Sequence, residues 1–303
     1  MTPDELGALR SAGAPAAMVE LQQQLEHYLG QLVFTRDAAT ARLVEAMRYS
    51  LLAGGKRIRP VLAMATADAC GRPPASVLPL AAAIEMIHTY SLIHDDLPAM
   101  DDDALCRGKP ASHIVFGEDV ALLAGDALFA EAMALVLCEQ EGEPAGVRAA
   151  AAELALAAGV YGLVGGQYID VRAPPDLDGR ELRHMHELKT GRLLGAAVGT
   201  VLSLTGQSGP DTAGMRRFAA EVGVLFQIVD DILDVTGDDA ALGKPGGSDA
   251  RHGRHTYVST FGLVRARELA CESHAIARAA LAQAPGDTST LQLIADYVLT
   301  RRA

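Results

Sequence analysis

The feature that most constrains this chain is a group of five carboxylates within the nine residues 95–103. The group directly follows an apolar run from Leu80 to Ser91, whose spacing is typical of one helix face. We therefore expect the carboxylates to be held on a packed element. Like charges held close together raise each other's pKa unless a cation binds, and oxygen ligands without Cys or clustered His suit Mg²⁺. The stretch predicts a magnesium site.

Pro98 determines the expected shape of this acidic stretch. On a straight helix, Asp95 and Asp101 would lie about 9 Å apart along the axis and on different faces. Proline lacks an amide proton and disfavours a helical conformation of the preceding residue, Leu97. We therefore expect a distortion between Asp96 and Asp101 that brings the carboxylates together. A solvated acidic turn after a helix is the alternative for this stretch taken alone.

A second acidic motif lies in a predicted helix over residues 211–235. Asp230 and Asp234 are four residues apart and therefore project from one face of that helix. Lys244 and Arg254 follow in the adjoining turn. Carboxylates beside basic residues are typical of a Mg²⁺–diphosphate site, in which the metal joins protein and phosphate oxygens while Lys or Arg neutralises the remaining charge.

A basic turn is the third candidate site. Gly54 and Gly55 end a predicted helix, and Lys56, Arg57 and Arg59 follow immediately. Three cations stand before the next helix, whose first amides also attract anions, so the turn predicts a phosphate site. A solvated basic turn is the alternative for this segment alone.

The composition favours helices over sheets. Ala and Leu dominate, aromatic residues make up 4%, Trp is absent, and half of the 303 residues are hydrophobic. We expect an all-α fold in which residues 1–303 form one helical domain without strands or linkers. Gly165 and Gly166 are expected to end a helix, and Asp178 with Glu181 predicts a capping box. The predicted helices span about 15–32, 37–53, 76 into the acidic stretch, 118–140, 144–164, 178–204, 211–235, 262–284 and 288–301.

Charge and cysteine usage limit the partners and the compartment. The net charge of −12 argues against nucleic acid or an anionic membrane as the main partner. Four scattered cysteines are too few for a disulfide framework and fit a reducing cytosol. The acidic first residues lack the order of a signal peptide, and apolar runs such as Ala127–Cys138 are short or interrupted by Glu131 and Glu153. We therefore expect a soluble, cytoplasmic protein without a membrane span.

Five motifs of this chain occur in the order found in the trans-polyprenyl diphosphate synthases. The chain resembles this family over residues 40–260, and within it most resembles the bacterial farnesyl diphosphate synthases. The paired aspartate motifs and the glycine–lysine–arginine turn carry most of the specificity. The motifs are Gly54-Gly55-Lys56-Arg57-Ile58-Arg59-Pro60, Asp95-Asp96 with Asp101, Arg107-Gly108-Lys109-Pro110, Lys189-Thr190-Gly191, and Phe226-Gln227 with Asp230, Asp231 and Asp234.

The resemblance implies a homodimeric helical bundle of the isoprenoid synthase fold, with two diphosphate sites around one deep cavity. Three Mg²⁺ ions are implied, with the candidate ligands Asp95, Asp96, Asp101, Asp230, Asp231 and Asp234. The diphosphate of isopentenyl diphosphate is implied to contact Gly55, Lys56, Arg59, His88 and Arg107. The allylic diphosphate and its reacting carbons are implied to contact Lys189, Thr190, Gln227, Lys244 and Arg254, with Gln167 and Asp170 as polar neighbours. The implied catalytic residues are Asp95, Asp101, Lys189, Thr190, Gln227 and Asp230.

The implied activity is a Mg²⁺-dependent 1'-4 condensation of isopentenyl diphosphate with dimethylallyl and geranyl diphosphate to give farnesyl diphosphate. Tyr90 and Ser91 are implied to lie beneath the growing chain and to limit its length. A geranylgeranyl diphosphate synthase, a class I terpene cyclase and a weakly active subunit that modulates a partner synthase are the alternatives. The chain departs from the family at Cys106, where an arginine usually contacts the allylic diphosphate.

Overall fold

The computed structural model describes residues 13–172, 177–207, 209–237, 254–282 and 284–301, so Lys244 lies outside the described residues. Within these ranges the chain is almost entirely helical. Short 3₁₀ segments precede two of the helices, and a π-helical turn, Glu187–Gly191, separates two others. The helices are α1 (Ala16–Gln31), α2 (Ala41–Leu51), α3 (Ile58–Ala69), α4 (Leu78–Asp95), α5 (Ser112–Phe116), α6 (Glu118–Glu139), α7 (Pro144–Ala158), α8 (Leu163–Arg172), α9 (Gly179–His186), α10 (Arg192–Leu204), α11 (Pro210–Thr236), α12 (Tyr257–Phe261), α13 (Leu263–Leu281) and α14 (Ser289–Thr300).

Helix α4 lies at the centre of the protein because it is apolar around most of its circumference. It packs against α3 and α6, while α11 packs against α10 and α13 and α10 packs against α7 and α3. The buried side chains of these helices form one contiguous hydrophobic cluster. The C-terminal end of α4, which carries Asp95, is therefore fixed by packing along the whole helix.

The predicted all-α fold is confirmed, and so is the capping box of Asp178 and Glu181 at the start of α9. The prediction that Gly165 and Gly166 end a helix is wrong, since α7 ends at Ala158 and α8 runs through both glycines. These glycines permit close packing: a Cβ on Gly166 would lie 2.1 Å from the amide nitrogen of Lys189. The short helices α5 and α12 were not predicted, because five residues show no helical periodicity.

The expectation of a chain without strands is also wrong at one point. Residues Leu105–Cys106 (β1) pair antiparallel with Lys109–Pro110 (β2) in a short hairpin. Its two loop residues, Arg107 and Gly108, have φ angles of 51° and 74°. Positive φ at both loop residues is the geometry of a two-residue hairpin turn. That residues 1–303 form a single domain stays a prediction.

Three helical segments are long and apolar enough to cross a membrane by length and composition: Pro74–Asp95, Glu118–Glu139 and Pro144–Arg172. Length alone therefore does not exclude a span, contrary to the expectation from the sequence. The most apolar part of the first segment is mostly buried inside the protein, whereas that of the second is one third buried. The absence of a membrane span stays a prediction.

Candidate active site

A cavity of about 400 Å³ lies at the C-terminal half of α4. It gathers side chains from motifs that are far apart in the sequence, and it also has apolar walls such as Leu92, Leu163 and Phe226. The charged and polar lining residues include Lys56, Arg59, His88, Ser91, Asp95, Asp96, Cys106, Arg107, Gln167, Lys189, Thr190 and Asp230.

The first group of lining residues is cationic. Burial lowers the pKa of Arg59 to about 10, although Glu85 and Asp230 oppose that shift. Burial, together with Arg301, lowers the pKa of Lys56 to about 8. These shifts mean that the positive charges have incomplete compensation from the protein. A polyanion entering the cavity would supply the missing negative charge.

His88 lies in the same group but does not add to its charge. Burial and the neighbouring guanidinium groups of Arg59, Arg107 and Arg57 hold the pKa of His88 well below its usual value. The imidazole is therefore neutral near pH 7 and serves as a hydrogen-bonding group beside the cations.

The second group of lining residues is acidic and lies where α4 ends. The amide of Asp101 donates to the carbonyl oxygen of Asp95 at 2.9 Å, and Asp102 has a φ of 53°. The predicted distortion after Asp96 is therefore confirmed. Burial, partly opposed by Lys189 and reinforced by Asp101, raises the pKa of Asp95 to about 6. Burial also raises the pKa of Asp96 to about 7, although the thiol of Cys106 donates to its carboxylate.

Carboxylates around the cavity form ion pairs with basic side chains. Asp170 of α8 accepts from Lys189 Nζ at 2.5 Å, and the nearby Lys189 and Arg254 hold its pKa below the usual value despite burial. Arg254 also binds Asp101. Lys189, Arg254 and Asp101 thus meet with Asp170 in one network. The network links the acidic stretch to the π turn.

Asp230 and Asp231 of α11 have different surroundings. Asp230 lines the cavity and accepts from Arg301 at 2.6 Å. Asp231 is buried, and its two oxygens accept from Gln227 Nε2 and from the Tyr257 amide, each at 2.7 Å. Asp234 lies half-buried one turn beyond Asp230. The first aspartate of this motif therefore faces the cavity, while the second holds neighbouring groups in place.

The π turn brings Thr190 to Gln227. A Cβ on Gly223 of α11 would lie 2.9 Å from the Cα of Gly191, so the two backbones meet closely at a glycine pair. Thr190 Oγ1 consequently donates to Gln227 Oε1 at 2.9 Å. Because Asp231 fixes the other end of the Gln227 amide, the hydroxyl of Thr190 has a defined orientation. π turns occur often at functional sites in helices.

Tyr90 and Ser91 project from α4 in different directions. Ser91 lines the cavity, whereas Tyr90 is not among its described lining residues. The Tyr90 ring packs edge-on against Phe129 of α6, with the ring centroids 5.6 Å apart, and against His94. Burial and the charge of Asp95 raise the Tyr90 pKa to about 12. The Tyr90 and Phe129 rings therefore form part of the packing between α4 and α6.

Three further residues contribute to the site and were not singled out from the sequence. Glu85 is the only acidic residue of α4 before Asp95. A single carboxylate in an otherwise apolar helix could have been recognised from the sequence as a candidate site residue. Phe226 belongs to a recognised motif. The guanidinium carbons of Arg301 and Arg59 lie 4.4 Å and 5.7 Å from the centroid of its ring. Arg301 lies outside every recognised motif, so only the tertiary structure places it beside Asp230.

Carboxylates are the main candidate ligands for a hard cation at this site. As they stand, no three or more His, Cys, Asp or Glu side chains in the described part of the chain are arranged to hold a metal ion. The donors at this edge of the cavity are carboxylates, which suit Mg²⁺. The buried amide of Gln167 also lacks a hydrogen-bond partner among the described residues. The residue types fit a magnesium–diphosphate complex.

The polyprenyl synthetase family model matches residues 40–297 of the chain. The chain belongs to the polyprenyl synthetase family. A farnesyl diphosphate synthase from Geobacillus stearothermophilus is 44% identical over 285 residues, which cover 93% of this chain and 96% of that protein. The expected resemblance to the bacterial enzymes is therefore confirmed, and this family member is a prenyltransferase.

The chain is also similar to two other proteins whose names indicate prenyl transfer. Large subunit 1 of a chloroplastic heterodimeric geranylgeranyl pyrophosphate synthase from Arabidopsis thaliana is 45% identical over 269 residues, covering 86% of this chain and 72% of that protein. The structure of a geranyltransferase from Helicobacter pylori, complexed with magnesium and isoprenyl diphosphate, matches with a TM-score of 0.81 and 28% identity. It covers 95% of this chain and 98% of that protein. The predicted isoprenoid synthase fold is confirmed.

Proposed function

We propose that this prenyltransferase condenses isopentenyl diphosphate with dimethylallyl and then geranyl diphosphate, and that farnesyl diphosphate is its product. The observation that carries the proposal is the presence of two charged groups in one cavity: the cations near His88 and the carboxylate–lysine network near Asp95. Two groups of this kind suit two diphosphate substrates whose reacting carbons meet between them. The similarity to the Geobacillus synthase supports the fifteen-carbon product.

The cationic group is the proposed site for isopentenyl diphosphate. Lys56, Arg59 and Arg107 supply charge-assisted hydrogen bonds, and neutral His88 supplies another polar contact. Gly55 contributes through its backbone, because a Cβ there would lie 3.1 Å from the guanidinium carbon of Arg107. Its φ of 123° also favours glycine. The turn therefore allows Arg107 to lie against it.

The acidic group is the proposed site for the allylic diphosphate with three Mg²⁺ ions. Asp95 and Asp101 are the proposed ligands at one edge and Asp230 at the other, with Asp96, Asp231 and Asp234 as supporting candidates. Bound Mg²⁺ would stabilise the negative charge that develops on the departing diphosphate. Lys189, Arg254 and Lys244 are proposed to bind the same diphosphate. Asp170 would then lose its ion pair with Lys189 to the diphosphate, and Arg301 would lose its ion pair with Asp230 to the metal.

The proposed reaction begins when the allylic carbon–oxygen bond breaks and its electron pair remains on the diphosphate. Lys189 and Arg254 bind that diphosphate and stabilise its charge as it develops. The double bond of isopentenyl diphosphate attacks the allylic cation and forms the new carbon–carbon bond. A proton then leaves the resulting cation for an oxygen of the departed diphosphate. Thr190 and Gln227 hold fixed oxygen atoms close to the reacting carbons.

Water must be kept from the allylic cation, since its attack would give an alcohol. Leu92, Leu163 and Phe226 supply apolar walls to the cavity. Phe226 also lies against the guanidinium groups of Arg59 and Arg301. The same ring therefore forms part of the apolar wall and contacts two of the cations near the site.

The exposed side of α6 supports a homodimer. Leu122, Leu123 and Leu137 of this helix are exposed, and the helix is strongly apolar along its length. Exposed apolar patches of this kind are typical of interfaces. We propose that a second copy covers this face and that the dimer is cytoplasmic. Size-exclusion chromatography with light scattering, and flotation with lipid vesicles, would distinguish a dimer from a membrane-bound form.

One assay tests the proposed function. Purified protein is incubated with radiolabelled isopentenyl diphosphate and, separately, dimethylallyl, geranyl or farnesyl diphosphate, with Mg²⁺ or with excess chelator. We expect coupling with the first two primers, fifteen-carbon products on chromatography, and loss of coupling in chelator. Coupling of farnesyl diphosphate to a twenty-carbon product would instead favour the geranylgeranyl synthase that the Arabidopsis relative's name suggests. Cyclic hydrocarbons, or no coupling, would contradict a chain-elongating synthase.

A further inference from the structure

Glu85 is a buried carboxylate shared by two arginines from different segments. It lies in the middle of α4 and is 1% exposed. Its Oε1 accepts from Arg57 Nη1 at 2.5 Å and from Arg107 Nη2 at 3.2 Å. Arg57 belongs to the basic turn before α3, and Arg107 lies at the tip of the β1–β2 hairpin. One side chain therefore joins the basic turn and the hairpin.

Both arginines have backbone conformations that depend on their surroundings. Arg57 and Arg107 each have a φ of 51°, which non-glycine residues adopt infrequently. Arg57 also donates to the Leu51 carbonyl at 2.7 Å, and Arg107 donates to the Gly54 carbonyl at 2.5 Å. Their guanidinium groups thus hold the two turns in place from within. Glu85 is the acceptor that the two groups have in common.

The guanidinium of Arg107 is confined on a second side by Gly55. A Cβ on Gly55 would lie between 3.1 and 3.4 Å from three atoms of that guanidinium. Arg107 is therefore held between Glu85 and the basic turn, while it also lines the cavity. A change at Glu85 would alter the orientation of Arg107 relative to Lys56 and Arg59.

Glu85 also neutralises the buried charge of Arg57. That role is already supplied in part by Glu26 of α1, which accepts from Arg57 Nε at 2.7 Å. Buried ion pairs also contribute little net stability, because desolvation offsets much of the attraction. Charge balance at Arg57 does not account for the second contact of Glu85, which is made with an arginine that lines the cavity.

We propose that Glu85 is a positioning residue that orients Arg107 for the diphosphate of isopentenyl diphosphate. The inference rests on the proposed function, because it assigns the cationic group to that substrate. It predicts an effect on one substrate only. The allylic site depends on Lys189, Asp170 and Arg254, which Glu85 does not contact in the described structure.

The test compares Glu85→Gln with the matched control Glu26→Gln, using steady-state kinetics with each substrate varied in turn. We expect Glu85→Gln to raise the KM for isopentenyl diphosphate about tenfold or more, because a neutral amide oxygen is a weaker acceptor for Arg107 than a carboxylate oxygen. The KM for geranyl diphosphate and kcat should stay within about threefold, and Glu26→Gln should leave both KM values within about threefold. An Arg107→Ala variant and the double variant complete a cycle, in which adding Glu85→Gln to Arg107→Ala should have little further effect.

The outcomes separate the inference from the proposed function. A wild type that does not couple isopentenyl diphosphate overturns both. A coupling wild type with an unchanged KM in Glu85→Gln, or with equal rises for both substrates, overturns the positioning role alone. Effects of Glu85→Gln and Arg107→Ala that multiply independently also overturn it. If Glu85→Gln loses helical circular dichroism, Glu85→Asp is measured, and loss of folding in both variants shows a structural role instead.

Discussion

Gly166 of α8 lies directly against the backbone of Lys189: a Cβ at Gly166 would stand 2.1 Å from the Lys189 amide nitrogen and 2.5 Å from its Cα. This approach places Asp170, one helical turn later, within 2.5 Å of Lys189 Nζ. The absence of a side chain at one position therefore determines the geometry of an ion pair in the site.

Gly166→Ala is expected to destabilise the protein and to weaken catalysis together. The added methyl group must displace backbone, which is typically costly by about 1–3 kcal/mol. Gly195→Ala in α10 is the matched control, because a methyl group there would meet no packed neighbour within 4 Å and Ala is favoured over Gly in helices. Thermal unfolding and coupling rates would be measured for both. Equal stability of the two variants would contradict the packing argument.

Asp95→Ala, Asp101→Ala and Asp230→Ala are each expected to reduce turnover about a hundred-fold or more. Each removes a group that holds or balances charge where the diphosphate leaves, and single groups of this kind contribute that much. Asp68→Ala, at an exposed position of α3, is the control and should retain wild-type turnover. Turnover is measured at saturating substrates with Mg²⁺. Near-normal activity in any of the three site variants would remove that residue from the proposed ligand set.

Cys106→Arg is expected to lower the KM for the allylic substrate about tenfold or more and to leave that for isopentenyl diphosphate nearly unchanged. Cys106 lines the cavity, and its thiol donates to Asp96, so an arginine here would add a charge-assisted bond. Cys106→Ser keeps a small donor without a charge and serves as the control. If both KM values are unaffected by arginine, the side chain at 106 does not face the allylic diphosphate.

The affinity for isopentenyl diphosphate is expected to fall as the pH rises through about 8. The pKa of Lys56 is lowered to about 8, chiefly by burial, so Lys56 is charged below that pH and neutral above it. Since the diphosphate binds the charged form, kcat/KM for isopentenyl diphosphate should drop about fivefold between pH 8 and 9. Lys56→Arg should remove most of this fall in kcat/KM between pH 8 and 9, because arginine stays charged there. A wild-type limb that persists unchanged in Lys56→Arg would assign the titration to another group.

Tyr90→Ala is expected to shift the product to twenty carbons or more. Tyr90 lies about 7.5 Å of helix rise below Asp95 and packs on Phe129, so its loss opens space between α4 and α6. Tyr90→Phe keeps the ring and should retain the fifteen-carbon product. Product chromatography after incubation with excess isopentenyl diphosphate gives the answer. An unaltered product in Tyr90→Ala would show that another side chain limits the chain length.

Most of the fold follows from local sequence. The apolar circumference of α4 predicts burial, and Pro98 predicts the distortion that brings the Asp101 amide to the Asp95 carbonyl. The error at Gly165 and Gly166 has a physical cause. Glycine favours a helix end in isolation, but here a neighbouring backbone requires the space that a side chain would occupy.

The site was predictable from the sequence where its residues belong to motifs. It was less predictable where a residue of one helix contacts a residue of another. Asp230 and Asp231 are adjacent in sequence, yet only the tertiary structure shows that Asp231 binds Gln227 and the Tyr257 amide. Arg301 contacts Asp230 because α14 packs beside α11. No local sequence pattern predicts this packing. The roles of individual metal ligands and substrate contacts stay predictions.

Two ion pairs of the site join residues that are remote in the chain. Arg254 and Asp101 are 153 residues apart, and Arg301 and Asp230 are 71 residues apart. Contacts of such long sequence separation require closure of large loops and therefore tend to form late in folding. A nascent or partly unfolded chain can thus build much of its helical framework before it has any capacity for chemistry. Activity should return later than helicity during refolding.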